Sequence, residues 1–427
     1  MVRNEEDSNV PARSRSGLWH NRDFLKLWAG ETVSVFGSRM GGVAVAFAAV
    51  IALGATPIEM GFLRAAQVLP MLLTSLVAGV WVDRLRRRPV MIAADLGRAA
   101  LLATIPAAAI WGTLGMRQLY GVMLGAAMLD LVFDVSYASY LPAIVSRDDL
   151  LDANSKLAAS YAVAEVGGFG LCGWLVQWLT APIAVLVDAL SFLVSAASIA
   201  LIGSSEPAHS EAASRAGFIA EVIDGARYLM SDRRLRLIAA IDAVAVFSDG
   251  AFGSLYMLFV LDHLRFTAGA LGMIIATGGV SALLGALAAR RIANVLGSGG
   301  AMALGLALEG AALAMVPMAP GATAVGAALL VGQQLLGDAA ATICEINRTA
   351  IVQAITPKHV LGRVNSGLWF IHLAGLLASL MVAAVLGTVI GMRLTLAAGA
   401  AALWVAATIL VFAGVRSLTP IAERTES

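Results

Sequence analysis

The sequence predicts an all-α membrane protein with twelve membrane-spanning helices arranged as two similar six-helix halves. Three observations support this fold class: the composition, the series of apolar runs and an internal repeat. Of the 427 residues, 59% are hydrophobic and 13% are charged, and the mean hydropathy is +0.84. Twelve helices of about 20 residues need roughly 240 apolar residues, which this composition supplies. Because soluble proteins are about a quarter charged, the composition excludes an ordinary soluble fold.

Apolar runs that end at charged, glycine or proline residues place the spans along the chain. The first run follows a polar tail, 1–22, which lacks the apolar segment of a cleaved signal peptide. A polar stretch, 204–235, separates the six spans of 23–203 from the six of 236–416, and a short tail, 417–427, follows. Helical spacing of apolar residues in the central stretch predicts an amphipathic helix on the inner membrane surface. The predicted spans are about 23–52, 58–82, 89–113, 119–142, 156–179, 183–203, 236–261, 267–291, 300–319, 322–346, 365–389 and 393–415.

The basic residues predict how these spans are oriented. Of the 29 lysines and arginines, only Arg117, Arg265 and Arg393 lie in connections on the side opposite the termini. Basic residues stay on the side from which a chain is inserted, so we expect both termini to be cytoplasmic and the number of spans to be even. The net charge of +1 gives no reason to expect nucleic acid as a partner.

The two halves share an internal repeat. A shift of 211 positions aligns 143–157 with 354–368, where six of fifteen residues are identical, and also aligns 30–42 with 241–253. One offset that holds at two separate places indicates a duplicated six-span unit, which is typical of transporters whose halves rock around a central site. The acidic residues that this shift pairs are Glu31 with Asp242 and Asp134 with Glu345.

Charged and polar residues within the spans are the candidates for a transport pathway. An acid inside a bilayer is costly unless it faces a cavity or a partner, and burial makes it a candidate proton carrier. Asp130 and Asp134 in span four are one turn apart and share a face with Tyr137. Arg39 in span one needs a counter-charge, for which we consider Asp130 or Glu165. A structural pair or a helix cap is the alternative role for each acid. The other candidates are Glu31, Glu165, Asp249, Gln334, Asp338 and Glu345.

The first inner loop carries a recognisable motif. It reads GVWVDRLRRRP from Gly79, which resembles the Gly-x-x-x-Asp-Arg/Lys-x-Gly-Arg-Arg/Lys signature of the major facilitator superfamily, except that Arg86 replaces the second glycine. The resemblance implies that the acid of this motif holds the inner gate shut and that spans one, four, seven and ten line the cavity. The residues that match the gate motif are Gly79, Asp83, Arg84, Arg87 and Arg88.

Further segments are similar to the branch of this superfamily that contains macrolide-efflux and enterobactin-exporter relatives. They are WAGETVSVFGSR, DGARYL, VDALSF and LGRVNSG. The resemblance implies a bacterial cytoplasmic-membrane protein that exports its substrate, and we expect it to act as a monomer. In span five Phe169 replaces the proline of the antiporter signature, which keeps an importer or an uncoupled facilitator open as alternatives.

Several chemistries lack their motifs in this sequence. No phosphate-binding loop accompanies the lysines, which are limited to Lys26, Lys156 and Lys358, so ATP is not expected to drive transport. No HExxH motif or nucleophile elbow is present, and Cys172 and Cys344 lie in apolar runs, so we expect neither an enzyme nor a metal or cofactor site.

The sequence thus predicts a secondary active transporter. We expect a proton-coupled exporter of an amphipathic small molecule, such as a drug, an antibiotic or a siderophore-like compound. A net acidic cavity with aromatic edges suits a cationic or amphipathic solute better than a small anion. A transport-inactive membrane sensor or scaffold is the alternative from another class, although buried acids without a task are expensive.

Overall fold

The structure, a computed structural model, describes residues 18–74, 86–146, 148–203, 225 and 227–413. These residues contain helices and connections but no strand, which confirms the predicted all-α class. The helices are α1 (Arg22–Phe47), α2 (Pro57–Thr74), α3 (Arg87–Ile110), α4 (Met116–Ile144), α5 (Leu150–Trp178), α6 (Ala181–Ala200), α7 (Arg233–Leu258), α8 (Ala268–Met318), α9 (Ala324–Ile355), α10 (Leu361–Leu386) and α11 (Met392–Phe412), with π-helical turns at Ala48–Ala52, Phe259–His263 and Gly387–Gly391.

Nine helical runs of the described residues are long and apolar enough to cross a membrane. Two of them, Ala268–Met318 and Leu361–Phe412, have 51 and 52 residues, about twice the length that one crossing needs. Each contains a glycine with positive φ, Gly297 at 73° and Gly391 at 92°. Glycine adopts this conformation without the steric cost of a side chain, so both runs are divided there into two arms. The number of twelve crossings stays a prediction.

Several helices extend beyond the predicted spans. Helix α9 continues to Ile355, whereas the predicted span ends near 346, and α5 begins at Leu150 rather than near 156. A helix does not stop where its apolar segment stops, because its own backbone hydrogen bonds continue into the polar boundary. The second part of the predicted span 58–82 and most of the central stretch 204–235 lie outside the described residues.

The same helix packing occurs in both halves. In the N-terminal half α1 packs on α5 and α6, and α3 packs on α4 and α6. In the C-terminal half α7 packs correspondingly on α10 and α11, and α8 packs on α9 and α11. This repetition confirms the predicted pseudo-symmetry of the bundle. The exact domain boundaries stay a prediction.

The halves meet through α5 with α8 and through α2 with α7 and α10. We name the end of the bundle at which α1 begins the proximal end, and the opposite end the distal end. Near the distal end the backbones of Gly173 and Gly272 touch, since a Cβ on Gly173 would lie 2.8 Å from the Gly272 Cα. The Gly269 amide also donates to Gln177 Oε1 at 2.9 Å. One hydrophobic cluster includes residues of two π-helical turns, Ala48–Ala52 and Phe259–His263, so it joins the distal ends of α1 and α7.

Candidate functional site

A buried arginine lies at the middle of the N-terminal half. Arg98 of α3 donates to Asp95 of the same helix and to Asp130 of α4. Its guanidinium lies over the rings of Phe133 and Phe192, at 4.6 and 4.1 Å from their centroids. Because Arg98 is only 4% exposed and Asp95 is fully buried, this ion-paired group locks α3 to α4.

Asp188 lies next to this group on α6. Its side chain is 3% exposed and packs directly on Gly41 of α1, where a Cβ would overlap the carboxylate. Its hydrogen-bond partner is the Ser191 hydroxyl, at 3.4 Å. Asp188 also interacts electrostatically with Asp130 and Arg98, so it extends the charged group of α3 and α4 towards α1.

Arg39 of α1 pairs with Glu165 of α5. The Arg39 Nε is 3.0 Å from Glu165 Oε2, and both side chains remain about 40% exposed, at 43% and 39%. Of the two counter-charges expected for Arg39, the structure therefore selects Glu165, and the expectation of Asp130 is wrong because Arg98 holds that carboxylate.

A second acidic group of the N-terminal half lies nearer the proximal end. Glu31 of α1 accepts a hydrogen bond from the Tyr161 hydroxyl at 2.8 Å and is 6% exposed. Glu31 interacts electrostatically with Asp134 of α4, and Tyr137 interacts with both acids. We name Glu31 and Asp134 the N-half acid pair, and Tyr137 lies beside both of them.

The C-terminal half carries an ion-paired group at the corresponding place. Arg348 of α9 donates from Nη1 to Asp242 of α7 at 2.9 Å. It also donates from Nε and Nη2 to the two oxygens of Glu345, at 2.8 and 2.7 Å. A guanidinium that binds two carboxylates in this manner compensates one of their two negative charges and fixes the geometry of both.

A separate acidic cluster lies at the middle of the C-terminal half. Glu309 interacts electrostatically with Asp249 and Asp338, and Asp249 interacts with His372 of α10. Asp338 also interacts with Glu165 across the boundary between the halves. No lysine or arginine contacts Asp249, Glu309 or Asp338 in the described ranges. We name these three residues the C-half acidic cluster.

Helix α8 packs closely around Asp338 on α9. The Asp338 carboxylate and the Gln334 amide both lie against Gly278, and Gln334 Nε2 donates to the Ile275 carbonyl at 3.3 Å. Ser281 donates to the Leu335 carbonyl and accepts from the Ala339 amide at 3.1 Å, so its hydroxyl enters the backbone ladder of α9 beside Asp338. This α8 surface positions Asp338 and Gln334, which are two of the predicted candidates for the transport pathway.

The predicted gate motif is described only in part. Gly79, Asp83 and Arg84 lie outside the described residues. Arg87 donates to the Ser139 carbonyl of α4 at 3.2 Å, and Arg88 donates to the Ile199 and Ala200 carbonyls at the end of α6. These two arginines therefore bind helix carbonyls of their own half, where a positive charge also complements the helix dipole.

Several residues of these groups had no role in the sequence prediction, namely Asp95, Arg98, Asp188 and Arg348. The spacing of three residues between Asp95 and Arg98, and between Glu345 and Arg348, is the signal that predicts such pairs on one helix. Arg348 was not predicted as a partner because it lies beyond the predicted end of its span.

Comparison with known proteins identifies the class. The profile of a family described as transmembrane secretion effectors, within the major facilitator superfamily, matches residues 17–425. The chain belongs to this family and is a membrane transporter of the major facilitator type. The predicted superfamily is confirmed, and its members are transporters rather than enzymes. The macrolide-efflux and enterobactin-exporter branch stays a prediction.

Individual relatives are distant. The uncharacterized MFS-type transporter y4rN of Sinorhizobium fredii is 27% identical over 239 residues, which are 55% of this chain and 58% of that protein. The chain thus matches little more than half the length of this curated relative. An inward-facing bacterial homologue of the iron transporter ferroportin is similar with a TM-score of 0.71 and 18% identity, over 92% of this chain and 98% of that chain. The nucleoside transporter NupG has a TM-score of 0.70 and 13% identity, over 93% and 98%. These similarities define the fold.

Proposed function

We propose that the protein is a proton-coupled exporter of an amphipathic small molecule. The observation that carries this proposal is the C-half acidic cluster, in which three carboxyl groups lie within a spanning bundle and have no lysine or arginine partner among the described residues. A carboxyl group in such a place is stable when it binds a proton or a cation, and expensive otherwise. A group of this kind, on helices that move against the other half, is suited to carrying protons.

The packing between the halves supports alternating access. The contacts of α5 with α8 run from Gln177 and Gly269 near the distal end to Val166 and Gly279 near the middle. With both termini in the cytoplasm, a closed distal end corresponds to a transporter that is shut towards the outside. The C-half acidic cluster then lies where a carrier exposes its site to one side at a time.

The charges support the proposed substrate class. The groups at the centre of the bundle contain more carboxylates than guanidiniums, which favours a cationic or amphipathic organic solute over a small anion. The resemblance to macrolide-efflux and enterobactin-exporter relatives adds the export direction and the bacterial inner membrane. We further propose that the transporter acts as a monomer.

The test is proton movement across inverted membrane vesicles, reported by a pH-sensitive dye. Amphipathic antibiotics, dyes and siderophore-like compounds are added in turn to vesicles with the wild-type protein or with Asp338→Asn. The matched control is Asp152→Asn, because Asp152 pairs with Lys156 at 3.1 Å on one exposed helix face and belongs to none of the central groups. We expect proton release that depends on the compound in the wild type and the control, and its loss in Asp338→Asn.

Other results of this experiment would favour one of the alternative functions. Movement of a labelled solute without proton release would contradict coupling and indicate a facilitator or an importer driven by the solute gradient. Unchanged transport after replacement of Asp249, Glu309 and Asp338 together would remove the acidic cluster from the mechanism. A chain that moves no compound, with the same stability in all variants, would favour the membrane sensor or scaffold.

A further inference from the structure

The internal repeat provides a direct comparison between the N-half acid pair and the C-half ion-paired group. The shift of 211 positions that aligns Glu31 with Asp242 and Asp134 with Glu345 also aligns Tyr137 with Arg348. Both halves therefore retain two acids at equivalent positions of equivalent helices. Only the C-terminal half carries a guanidinium between them.

In the part of the N-terminal half that the structure describes, two buried polar atoms lack hydrogen-bond partners, which indicates a position that a ligand can occupy. Within the described residues, Glu31 Oε2 is buried and has no hydrogen-bond partner, although Oε1 accepts from Tyr161. The Tyr137 hydroxyl is also buried without a partner. A buried carboxylate oxygen costs free energy when it is left unpaired, so its environment favours a bound group that donates hydrogen bonds.

The other charges around this position do not fill it. Arg98 interacts electrostatically with Glu31 and Asp134, but its guanidinium is hydrogen-bonded to Asp95 and Asp130. Arg39, on the same helix as Glu31, is held by Glu165. Within the described residues, the N-half acid pair is thus left without a bound cation.

We propose that the N-half acid pair binds the cationic head group of the transported solute, at the position that the Arg348 guanidinium occupies in the other half. The head group is an organic cation with hydrogen-bond donors, a guanidinium or a protonated amine. Arg348 demonstrates that two such acids can bind a guanidinium, which directs one N–H towards Asp242 on α7 and two towards Glu345 on α9.

The surrounding rings suit an amphipathic body attached to this head. On α4 Tyr137 stacks on Phe133 with centroids 5.9 Å apart, Tyr161 of α5 donates its hydrogen bond to Glu31, and Trp28 lies three residues before Glu31 on α1. Trp28 is positioned by a hydrogen bond from its Nε1 to Ser160 at 3.0 Å. Aromatic faces attract cations, so they add to the binding of a positively charged ligand. This inference rests on the proposed transport of an amphipathic solute and specifies where its charge binds.

The test measures binding without any ion gradient. The full-length protein in lipid nanodiscs is titrated with octylguanidinium and with octylurea, which has a similar shape but no charge. We expect octylguanidinium to bind at least about tenfold more tightly than octylurea, and Glu31→Gln to remove that preference. Tyr137→Arg builds the C-half arrangement into the N-terminal half, so we expect it to weaken octylguanidinium binding by at least about tenfold.

The unfolding temperature and the preference between an inorganic and an organic cation are measured in the same samples. Because the new guanidinium would pair with both acids, Tyr137→Arg is expected to keep or raise the unfolding temperature, which distinguishes a blocked site from a misfolded one. Sodium chloride and methylguanidinium chloride at equal ionic strength distinguish an inorganic from an organic cation, and stronger competition by sodium would overturn the assignment. Equal affinity of the wild type and Tyr137→Arg for octylguanidinium would also overturn it.

The outcome is separable from that of the proton-coupling experiment. Preferential binding of octylguanidinium without proton release from vesicles would support the cation site and contradict proton coupling. Proton release with neutral compounds, together with no preference for octylguanidinium, would contradict the cation site and leave the proton-coupled function in place.

Discussion

The two halves of the bundle place the arginine that binds two carboxylates at different depths. The N-terminal half has Arg98 near the middle of α3, where the repeat puts Glu309 in the C-terminal half. The C-terminal half has Arg348 closer to the proximal end of α9, where the repeat puts Tyr137 in the N-terminal half. Each arginine binds two carboxylates of its own half.

This difference leaves a different acidic group open in each half. The N-terminal half carries its carboxylate-bound arginine at the middle and keeps the N-half acid pair, nearer the proximal end, without one. The C-terminal half carries its carboxylate-bound arginine nearer the proximal end and keeps the C-half acidic cluster, at the middle, without one among the described residues. A duplicated fold can thus preserve its helix packing while its two halves carry different charged groups, and our proposals give solute binding to the first group and proton carriage to the second.

The largest effect is expected from the arginine of the N-terminal half. Arg98→Leu leaves the fully buried Asp95 without its cation and also removes the partner of the half-exposed Asp130, so we expect the free energy of unfolding to fall by about 3–5 kcal/mol. Thermal unfolding of the purified protein in detergent measures this loss. The double variant that also replaces Asp95 with Asn is expected to recover part of it, and a single variant as stable as the wild type would contradict the structural role of Arg98.

A smaller loss is expected from the arginine of the C-terminal half. Arg348 is partly exposed, with 23% of its side chain accessible, so Arg348→Gln should lower the free energy of unfolding by about 2 kcal/mol. Adding Asp242→Asn removes one of the uncompensated acids and is expected to restore stability in the same unfolding assay. If the double variant were less stable than the single one, the acids would not be the partners that matter.

The contact between the halves is expected to be sensitive to one methyl group. In Gly173→Ala the new Cβ would meet the Ala268 carbonyl at 2.5 Å, so we expect about 1–2 kcal/mol of destabilisation of this distally closed state. The matched control is Gly121→Ala in α4, where a Cβ meets nothing within 4 Å. Cross-linking of cysteines placed at the distal ends of α5 and α8 reports the closed state. Equal cross-linking in both variants would show that the glycine contact is unimportant.

The smallest effect is expected from the half-exposed pair of α1 and α5. Arg39→Gln breaks a pair whose members are both about 40% accessible, so the loss of stability should be about 1 kcal/mol or less. The unfolding temperature measures this change, with Arg98→Leu as the contrasting buried pair. A loss as large as that of Arg98→Leu would mean that the Arg39 pair is shielded from solvent far more than its accessibility indicates.

The fold was largely predictable from the sequence, because helix packing in a membrane follows the series of apolar runs and the repeat. The positions of Glu31, Asp134, Asp249 and Asp338 as polar groups on spanning helices were predicted in the same way. Their partners were not. An ion pair such as Arg98 with Asp130 depends on the rotation of two neighbouring helices, which apolar periodicity does not determine.

The failure at Arg348 has a different physical reason. The predicted span ends near 346 and therefore excludes the last nine residues of α9, which include Arg348. Arg348 is the residue by which the two halves differ in charge between their paired acids. Helices continue past the apolar layer, where long basic side chains reach back to buried acids. Comparing equivalent positions of the repeat recovers this residue, because a tyrosine and an arginine at one position imply different charges between the same two acids.

The measurement that tests the account most directly is the number of octylguanidinium sites per chain in nanodiscs, determined by equilibrium dialysis for three proteins. We predict one site in the wild type, none in Tyr137→Arg, and two in Arg348→Tyr, where the C-half acids lose their internal guanidinium. If the number of sites were the same in all three proteins, the residue between the paired acids would not control cation binding, and the proposed division between the halves would be wrong.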